Sequence, residues 1–463
     1  MTWKIDSLDK LFNPESVAVV GASDKSEKLG ALALVALNSF RGDIYPVNPR
    51  LSTLNGRRCY STVSDIPHDV DLAMICLRGG LVYQALSDCA NAGVRAAIVL
   101  AAGFKELGKE GAAEQRRIKK LVDEAHIAVI GPNCLGAGNV NLDLNATFFP
   151  HPITPNKGKV ALVSQSGGVS GLMIYRAVES ELGISKFASV GNRVNIDFAH
   201  LLKYLKNDHE TEVICLFVEG TEKAREMANE MKLVTKEKPV IVFKVGKTPT
   251  ARAAALSHTG SLAGEPKIYS GAIKQAGGIE VESAQDMIDT AKLLSMWEHF
   301  PNGKRVAVIT HSLGIALIAA QTLEENGALL PYPSDRIAKP IENLLEMPVH
   351  IPIRNPIDLL AKGWAEPNVF AKTFDIVANS GEYDAILTIF SPNYQEGIGG
   401  GMPANQIVSF AHKSKVPVVS VLNSPAGLTP KGKDVLEDGG IPFFASPQRA
   451  GRALANALLS AKE

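Results

Sequence analysis

Residues 159–179, KVALVSQSGGVSGLMIYRAVE, decide the fold because they hold every part of a parallel α/β unit. A short apolar run ends in serines and glycines, and a helical pattern follows at once. Residues 305–325, RVAVITHSLGIALIAAQTLEE, repeat this strand, turn and helix in the same register. Such self-similarity indicates a duplicated unit. We therefore predict two flavodoxin-like parallel-sheet domains, over residues 146–298 and 299–463.

The first third of the chain carries five further apolar runs, each followed by a turn signal. Nearly continuous apolar runs are typical of parallel strands that helices cover on both faces. We predict a Rossmann-like domain over residues 1–145, and the proline-rich residues 149–159 that follow it as a linker. The five runs are SVAVVGAS, DIYPVNP, LAMICL, AAIVLAAG and IAVIGPN.

Composition excludes several classes of partner. A chain of 463 residues is too long for one hydrophobic core. Its 48 basic and 48 acidic residues give no net charge, which argues against nucleic acid or a membrane surface as a partner. The five cysteines form no CxxC pair, so we expect neither a disulfide framework nor a zinc site. The first residues do not resemble a secretory signal, and we predict a cytoplasmic protein.

The turn after the first strand, VVGASDKSEKLG at residues 19–30, predicts an anion site. The strand ends at Gly21, and Gly30 opens a helix whose N–H groups and dipole favour phosphate. Lys25 and Lys28 are placed to pair with further phosphates. A tight turn without a ligand is the alternative. The spacing is not GxGxxG, and no acidic residue closes the next strand, so an NAD(P)-dependent dehydrogenase is disfavoured.

A second turn, VSQSGGVSG at residues 163–171, favours phosphate more strongly. Ser164 and Ser166 offer hydroxyls, and two successive glycines let the backbone approach a ligand closely. The equivalent turn of the third domain has Leu313 in place of Gly167, so we predict no phosphate there. Elsewhere, Gly246 begins a GKT triplet similar to the end of a P-loop. Ile241 occupies the position of the motif's first glycine, which excludes that motif.

Two residues are candidates for catalysis. His258 lies in LSHTGSLAG, a run of small and hydroxylated residues, and its imidazole is partly unprotonated at neutral pH. Glu219 ends the apolar strand ICLFVEG, where a carboxylate can fix the tautomer of a histidine and raise its nucleophilicity. A surface histidine and an exposed glutamate are the alternatives. Among the other histidines, only His311 has a comparable setting.

Nine motifs occur in this order: GASDKSEKLG, YPVNP, LAAGFKE, GPNCLG, VSQSGGVS, SVGN, VEG, ALSHTGSLAG and NPIDLL. Together they make the chain resemble, over nearly its whole length, the alpha subunits of ADP-forming acetyl-CoA synthetases, in the succinyl-CoA synthetase superfamily. The resemblance implies that acyl-CoA and phosphate give acyl phosphate and CoA. The phosphoryl group then passes to a loop histidine and on to ADP, and the reverse reaction activates an acid.

The resemblance also implies roles for particular residues. It makes His258 the phosphohistidine and Glu219 its partner, and it places Asn133 and Cys134 near the thioester. It assigns phosphate binding to Ser164, Gln165, Ser166, Gly167 and Gly168. It assigns coenzyme A binding to Gly21, Ala22, Ser23, Lys25, Lys28, Gly30, Asn48, Pro49, Ala102, Gly103 and Phe104.

The same resemblance implies a partner protein. ADP or ATP with Mg²⁺ would bind an ATP-grasp beta subunit in an α2β2 heterotetramer, and no metal site is expected on this chain. A non-catalytic CoA-binding regulatory or scaffold protein is the alternative. The presence of both Glu219 and His258 disfavours it, because a pure binding module needs neither. No motif predicts which carboxylic acid is used.

Overall fold

The computed structural model describes residues 2–149, 155–252, 265–346, 352–390, 403–422 and 432–459. His258 and the rest of SHTGSLAG lie outside these residues, as does the middle of the predicted linker. The strands are β1 (Ser16–Val20), β2 (Asp43–Val47), β3 (Thr53–Leu54), β4 (Arg57–Arg58), β5 (Leu72–Ile75), β6 (Ala96–Val99), β7 (Ala128–Ile130), β8 (Gly136–Asn139), β9 (Leu144–Thr147), β10 (Lys157–Ser164), β11 (Ile184–Ser189), β12 (Val213–Val218), β13 (Val240–Lys244), β14 (Ile279–Val281), β15 (Val306–Thr310), β16 (Ile357–Asp358), β17 (Ala385–Phe390), β18 (Val418–Leu422) and β19 (Phe443–Phe444).

Helices connect most of these strands, as the alternating pattern predicts. They are α1 (Thr2–Phe12), α2 (Leu29–Ala36), α3 (Val82–Asn91), α4 (Lys109–Glu124), α5 (Gly167–Glu179), α6 (Phe198–Asn207), α7 (Ala224–Val234), α8 (Pro266–Gln275), α9 (Ala284–Met296), α10 (Leu313–Glu325), α11 (Asp335–Leu345), α12 (Leu360–Ala365), α13 (Pro367–Ala378), α14 (Ala404–Ser414), α15 (Lys433–Asp438) and α16 (Pro447–Leu458). Within the described residues, no helix combines the length and the apolar character needed to cross a membrane.

The first sheet is parallel and has the order β2-β1-β5-β6-β7. Its strands are those of the five predicted runs. Val19 belongs to the hydrophobic cluster on one face of the sheet, and its neighbour Ala18 to the cluster on the other. Both faces are therefore buried, which explains the continuous apolar sequence. The chain reverses its winding direction beside β1, and ligands of open α/β sheets bind at such a switch point.

The second sheet has the order β14-β13-β12-β10-β11-β8-β9, with β10 to β14 parallel. The hairpin of β8 and β9 joins its edge antiparallel to β11, although the hairpin directly follows the strands of the first sheet. The predicted domain boundary after residue 145 falls inside β9. The predicted linker ends inside β10, because Lys157 already belongs to that strand.

The third sheet has the order β16-β15-β17-β18-β19 and is also parallel. Its first strand, β15, lies between the second and third strands of the sheet, as β10 does in the second sheet. This equivalence confirms the predicted pair of flavodoxin-like domains. The chain forms two compact units, residues 1–288 and 289–463. The second half of α9 belongs to the second unit, where Asp289 binds Arg449 at 2.6 Å.

Candidate active site

The turn between β1 and α2 is built by two glycines in close contact. Gly21 has φ +90°, and a Cβ on it would lie 2.7 Å from Leu77 Cδ2. A Cβ on Gly30 would collide with the carbonyl oxygen of Gly21. The start of α2 therefore packs directly onto the turn. No side chain caps this helix, whose N-cap is Lys28. Its N-terminus suits an anion such as a phosphate of coenzyme A.

The loops that follow the strands of the first sheet contact one another along one edge. Asn48, after β2, donates from Nδ2 to the carbonyl oxygen of Ala22 at 2.7 Å. Asn133, after β7, donates its N–H to the carbonyl oxygen of Ala101 at 2.8 Å. Lys25, Lys28 and Pro49 are exposed on the same edge, and Ser23 Oγ accepts the N–H of Lys25 at 3.1 Å.

The loop after β6 uses part of its own hydrogen-bonding capacity internally. Glu106 Oε1 accepts the N–H groups of Gly103 and Phe104 at 2.6 and 3.1 Å. The Phe104 side chain is fully buried in the core. Ala102, by contrast, is exposed at this loop. Sequence reasoning assigned no role to Glu106, because a glutamate at this position resembles an ordinary helix-start residue.

The GPNCLG segment links the two predicted ligand regions. The N–H of Leu135 donates to Ser189 Oγ at 3.2 Å, and a Cβ on Gly167 would lie 3.3 Å from Leu135 N. The segment therefore reaches the serine–glycine turn. The thiol of Cys134 is buried and donates to the carbonyl oxygen of Val99, and burial raises its pKa to about 12. This thiol stays protonated at neutral pH, so it is no nucleophile.

The serine–glycine turn leaves the start of α5 open. Ser164 donates from Oγ to the carbonyl oxygen of Ser166 at 2.8 Å, and Ser166 caps the helix by accepting the N–H of Val169. Gly168 is exposed, and a Cβ on it would meet no atom within 4 Å. The first turn of α5 can therefore receive an anion on its N–H groups.

Gln165 joins this turn to Glu219. Its Oε1 accepts the N–H groups of Glu219 and Gly220 at 3.0 and 3.1 Å. Its Nε2 is buried and has no acceptor among the described residues. A buried donor without an acceptor costs stability, and an oxygen of a bound phosphate would satisfy it. Gln165 thus ties the predicted phosphate turn to the backbone of Glu219, the predicted catalytic residue.

Lys244, at the end of β13, is a residue of this site that sequence reasoning missed. Its buried Nζ donates to the carbonyl oxygens of Glu219 (2.8 Å) and Val245, and lies 4.7 Å from the Tyr269 ring centre. Burial lowers its pKa to about 8. The sequence contains one indication of this residue: Lys244 is the last residue of the otherwise apolar strand VIVFK.

The described residues on either side of His258 lie close to this group. Arg252 and Glu265, which flank the segment 253–264, form an ion pair at 3.2 Å. In α8, Tyr269 accepts the N–H of Thr221 on its hydroxyl at 3.0 Å. Both flanks are thus held near the strand end that carries Glu219. His258 itself lies outside the described residues.

The other histidine with a comparable setting is placed differently. His311 lies half-buried beside the rings of Phe370 and Phe390, and burial lowers its pKa to about 4. No group of three His, Cys, Asp or Glu side chains in the described parts of the chain could hold a metal ion.

Comparison with known proteins identifies the family. Two family models match: a CoA binding domain over residues 15–139 and a succinyl-CoA ligase like flavodoxin domain over residues 157–294. The alpha subunit of acetate–CoA ligase [ADP-forming] II from Pyrococcus furiosus is 33% identical over 95% of this chain and 95% of its own length. The chain belongs to the family of ADP-forming acetate–CoA ligase alpha subunits. This membership favours the ligase over the scaffold alternative.

Members of this ligase family resemble the chain in sequence and in structure. The 4-hydroxybutyrate–CoA ligase [ADP-forming] of Nitrosopumilus maritimus is 31% identical over 96% of this chain and 63% of its own length. The acetyl-coenzyme A synthetase 1 of Ca. Korarchaeum cryptofilum, solved in complex with phosphate and ADP, superposes with a TM-score of 0.85. It is 31% identical, and the match covers 98% of this chain and 97% of that one. Relatives named for different acids are thus about equally similar.

Proposed function

We propose that this alpha subunit converts acyl-CoA, phosphate and ADP reversibly into the free acid, CoA and ATP through a phosphohistidine at His258. The observation that carries the proposal is the hydrogen-bonded group in which Gln165 joins the phosphate turn to Glu219. The family membership and the relative solved with phosphate and ADP support it.

Each loop of the proposed site has its own part in the reaction. The N-terminus of α2, with Lys25 and Lys28, binds phosphates of coenzyme A, and the GPNCLG segment lies at the thioester end. Phosphate on the first turn of α5 attacks the thioester carbonyl, and the CoA thiolate leaves. The imidazole of His258 then attacks phosphorus of the acyl phosphate, and the carboxylate leaves. Glu219 orients the imidazole and stabilises its positive charge.

The last step takes place on a partner. We propose that a beta subunit with an ATP-grasp fold holds ADP with Mg²⁺ and receives the phosphoryl group from His258, in an α2β2 assembly. The name of the Pyrococcus furiosus relative, a subunit alpha, supports a separate partner. Co-purification with a co-expressed ATP-grasp protein, followed by mass determination, tests both the partner and the stoichiometry.

Phosphoryl labelling tests the histidine directly. The purified chain is incubated with acetyl phosphate or longer acyl phosphates that carry ³²P, and the label is mapped. We expect acid-labile, base-stable label in wild type and none in His258→Asn. The control His209→Asn removes an exposed histidine outside the site and should keep full labelling. Label on another histidine in the His258→Asn protein would disprove the assignment.

A further inference from the structure

A cavity of about 570 Å³ lies in the first unit, beside α4, the loop after β11 and the start of α7. None of the residues assigned above to CoA or phosphate lines it. Its volume is within the range of small-molecule sites. Seven of its side chains are basic and two are acidic: Lys4, Lys105, Lys109, Arg116, Lys119, Arg193 and Lys223 against Asp197 and Glu222.

The positive charge of this cavity is only partly neutralised. Arg193 pairs with Asp197 and Lys223 with Glu226. Lys4 and Lys119 share one carboxylate, that of Asp123. No ion pair joins Lys109 or Arg116 to an acidic side chain among the residues that the structure describes. Cations held together without enough counter-charge destabilise the fold, and a bound anion would relieve that repulsion.

The pKa values of two lining lysines agree with this charge excess. Burial, and then the neighbouring guanidinium of Arg193, lower the pKa of Lys105. Burial is also the main cause that lowers the pKa of Lys4, and Lys119 and Lys223 add to it. A nearby anion would favour the charged form of both lysines.

The end of a helix adds a second, independent attraction for anions. The 16-residue helix α4 begins at Lys109, and no side chain caps it at Gly108. Both residues line the cavity, so the positive end of the helix dipole lies beside it. Arg116 offers the planar donors that suit phosphate.

We propose that this cavity binds a small, multiply charged inorganic anion of the polyphosphate class, at a site separate from that of coenzyme A. Several phosphate groups are needed to match so many cations. None of the described lining side chains is aromatic, so the cavity provides no stacking surface for a nucleobase. Inorganic pyrophosphate and tripolyphosphate fit these properties better than a nucleotide does.

Calorimetric titration of the full chain with tripolyphosphate at about 0.15 M salt tests the site, because this salt screens weak surface binding. We expect each chain to bind one tripolyphosphate. The affinity for tripolyphosphate should be the same with and without saturating coenzyme A. The double variant Lys109→Gln/Arg116→Gln should bind at least tenfold more weakly. The matched control is Lys120→Gln, on the same helix but outside the cavity.

Four results would overturn the proposal. They are no saturable binding in wild type, loss of binding when coenzyme A is present, an equal loss of affinity in Lys120→Gln, or tenfold tighter binding of ATP than of tripolyphosphate. The second would assign the anion to the CoA site, and the fourth would make the ligand a nucleotide. Thermal unfolding of each variant without ligand checks that the substitutions leave the fold intact.

Discussion

Gln165 occupies the point where the serine–glycine turn meets the end of β12. Its oxygen fixes the backbone of Glu219, while its buried Nε2 offers a donor that no described residue accepts. A residue that only held the strand end in place would not need to bury that donor. The arrangement suits a site whose missing acceptor arrives with the substrate.

Replacing this donor tests its role. Gln165→Glu keeps an acceptor for the two N–H groups but places negative charge where phosphate would bind. We expect the KM for phosphate to rise at least tenfold, because a lost hydrogen bond to a charged group and added repulsion exceed about 1.4 kcal/mol. Phosphate-dependent cleavage of acyl-CoA measures this. Gln321→Glu, on α10, is the control, and an unchanged KM in Gln165→Glu would contradict the role.

Glu219 should act on the turnover rate more than on binding. In Glu219→Gln the amide no longer stabilises an imidazolium. Removing a carboxylate that orients a metal-bound histidine costs about 10- to 100-fold, which sets the scale here. We expect kcat to fall by roughly that factor with little change in the KM for phosphate. Glu222→Gln, three residues further along, should keep the wild-type rate. A normal kcat in Glu219→Gln would rule out the proposed partnership with His258.

The buried ammonium of Lys244 should make stability depend on pH. Burial lowers its pKa from 10.5 to about 8, so between these values the unfolded chain binds a proton that the folded chain does not. The free energy of unfolding contributed by this group therefore rises with pH from about 8 to 10.5. We expect the free energy of unfolding, measured with urea, to increase less between pH 8 and pH 10 in Lys244→Met than in wild type. An exposed-lysine variant, Lys203→Met, should behave as wild type.

Residue identities gave only part of the site. The sequence singled out Glu219 by its position at a strand end and His258 by its unusual neighbours. It gave no reason to connect Gln165 with Glu219 or to include Lys244. Gln165 and Glu219 are more than fifty positions apart, and Lys244 and Glu219 are about twenty-five apart. Pairing of β12 with β10 and with β13 brings them together.

At the scale of elements, the packing of α2 on the β1 turn is the feature most sensitive to substitution. Gly30→Ala must push the helix away from backbone atoms of Gly21 and Ala22, which cannot rotate aside. We expect it to lower the free energy of unfolding by about 1–3 kcal/mol and to weaken CoA binding, as measured by urea unfolding and calorimetry.

A second glycine gives the matched control. Gly171 lies inside α5, and a Cβ on it would meet no atom within 4 Å. Gly171→Ala should therefore be neutral or stabilise the chain by up to about 1 kcal/mol, since alanine favours the helix. If both substitutions had the same effect, the close approach at Gly30 would not be what holds the turn.

Segments with a strong apolar pattern were predicted as strands, and segments with a weak pattern were missed. The apolar runs named from the sequence became strands β1, β2, β5 to β7, β10, β12 and β15. The hairpin of β8 and β9 was missed because GAGN and LNAT carry no apolar alternation. These strands exist because β8 pairs with β11 at a sheet edge, which is a tertiary contact.

At the scale of the whole molecule, the five parallel strands of each of the three large sheets share one order, with the first of them between the second and third. Each first strand therefore ends at a switch point, where neighbouring loops diverge and leave a crevice. The turn of Gly21 and the turn of Ser164 occupy two of these points. One repeated topology thus provides separate positions for the proposed coenzyme A site and the proposed phosphate site.

The division into two units predicts where CoA binding resides. Every residue predicted to bind CoA lies in residues 1–288, which form one compact unit. We expect a truncated chain of these residues to bind CoA within about threefold of the full chain, and residues 289–463 not to bind it, as measured by calorimetry. A tenfold or greater loss in a truncated chain with native circular dichroism would show that the second unit contributes to the CoA site.

The sequence alone determined the repeated α/β units and the chemistry of their turns, because apolar periodicity and turn residues act over a few neighbouring positions. It also predicted the residue types for phosphoryl transfer. Only the tertiary structure decided which strand the β8–β9 hairpin joins, how Gln165 ties the phosphate turn to Glu219, and that seven cations from distant segments line one cavity. These features depend on contacts between residues far apart in the chain, which no local pattern encodes.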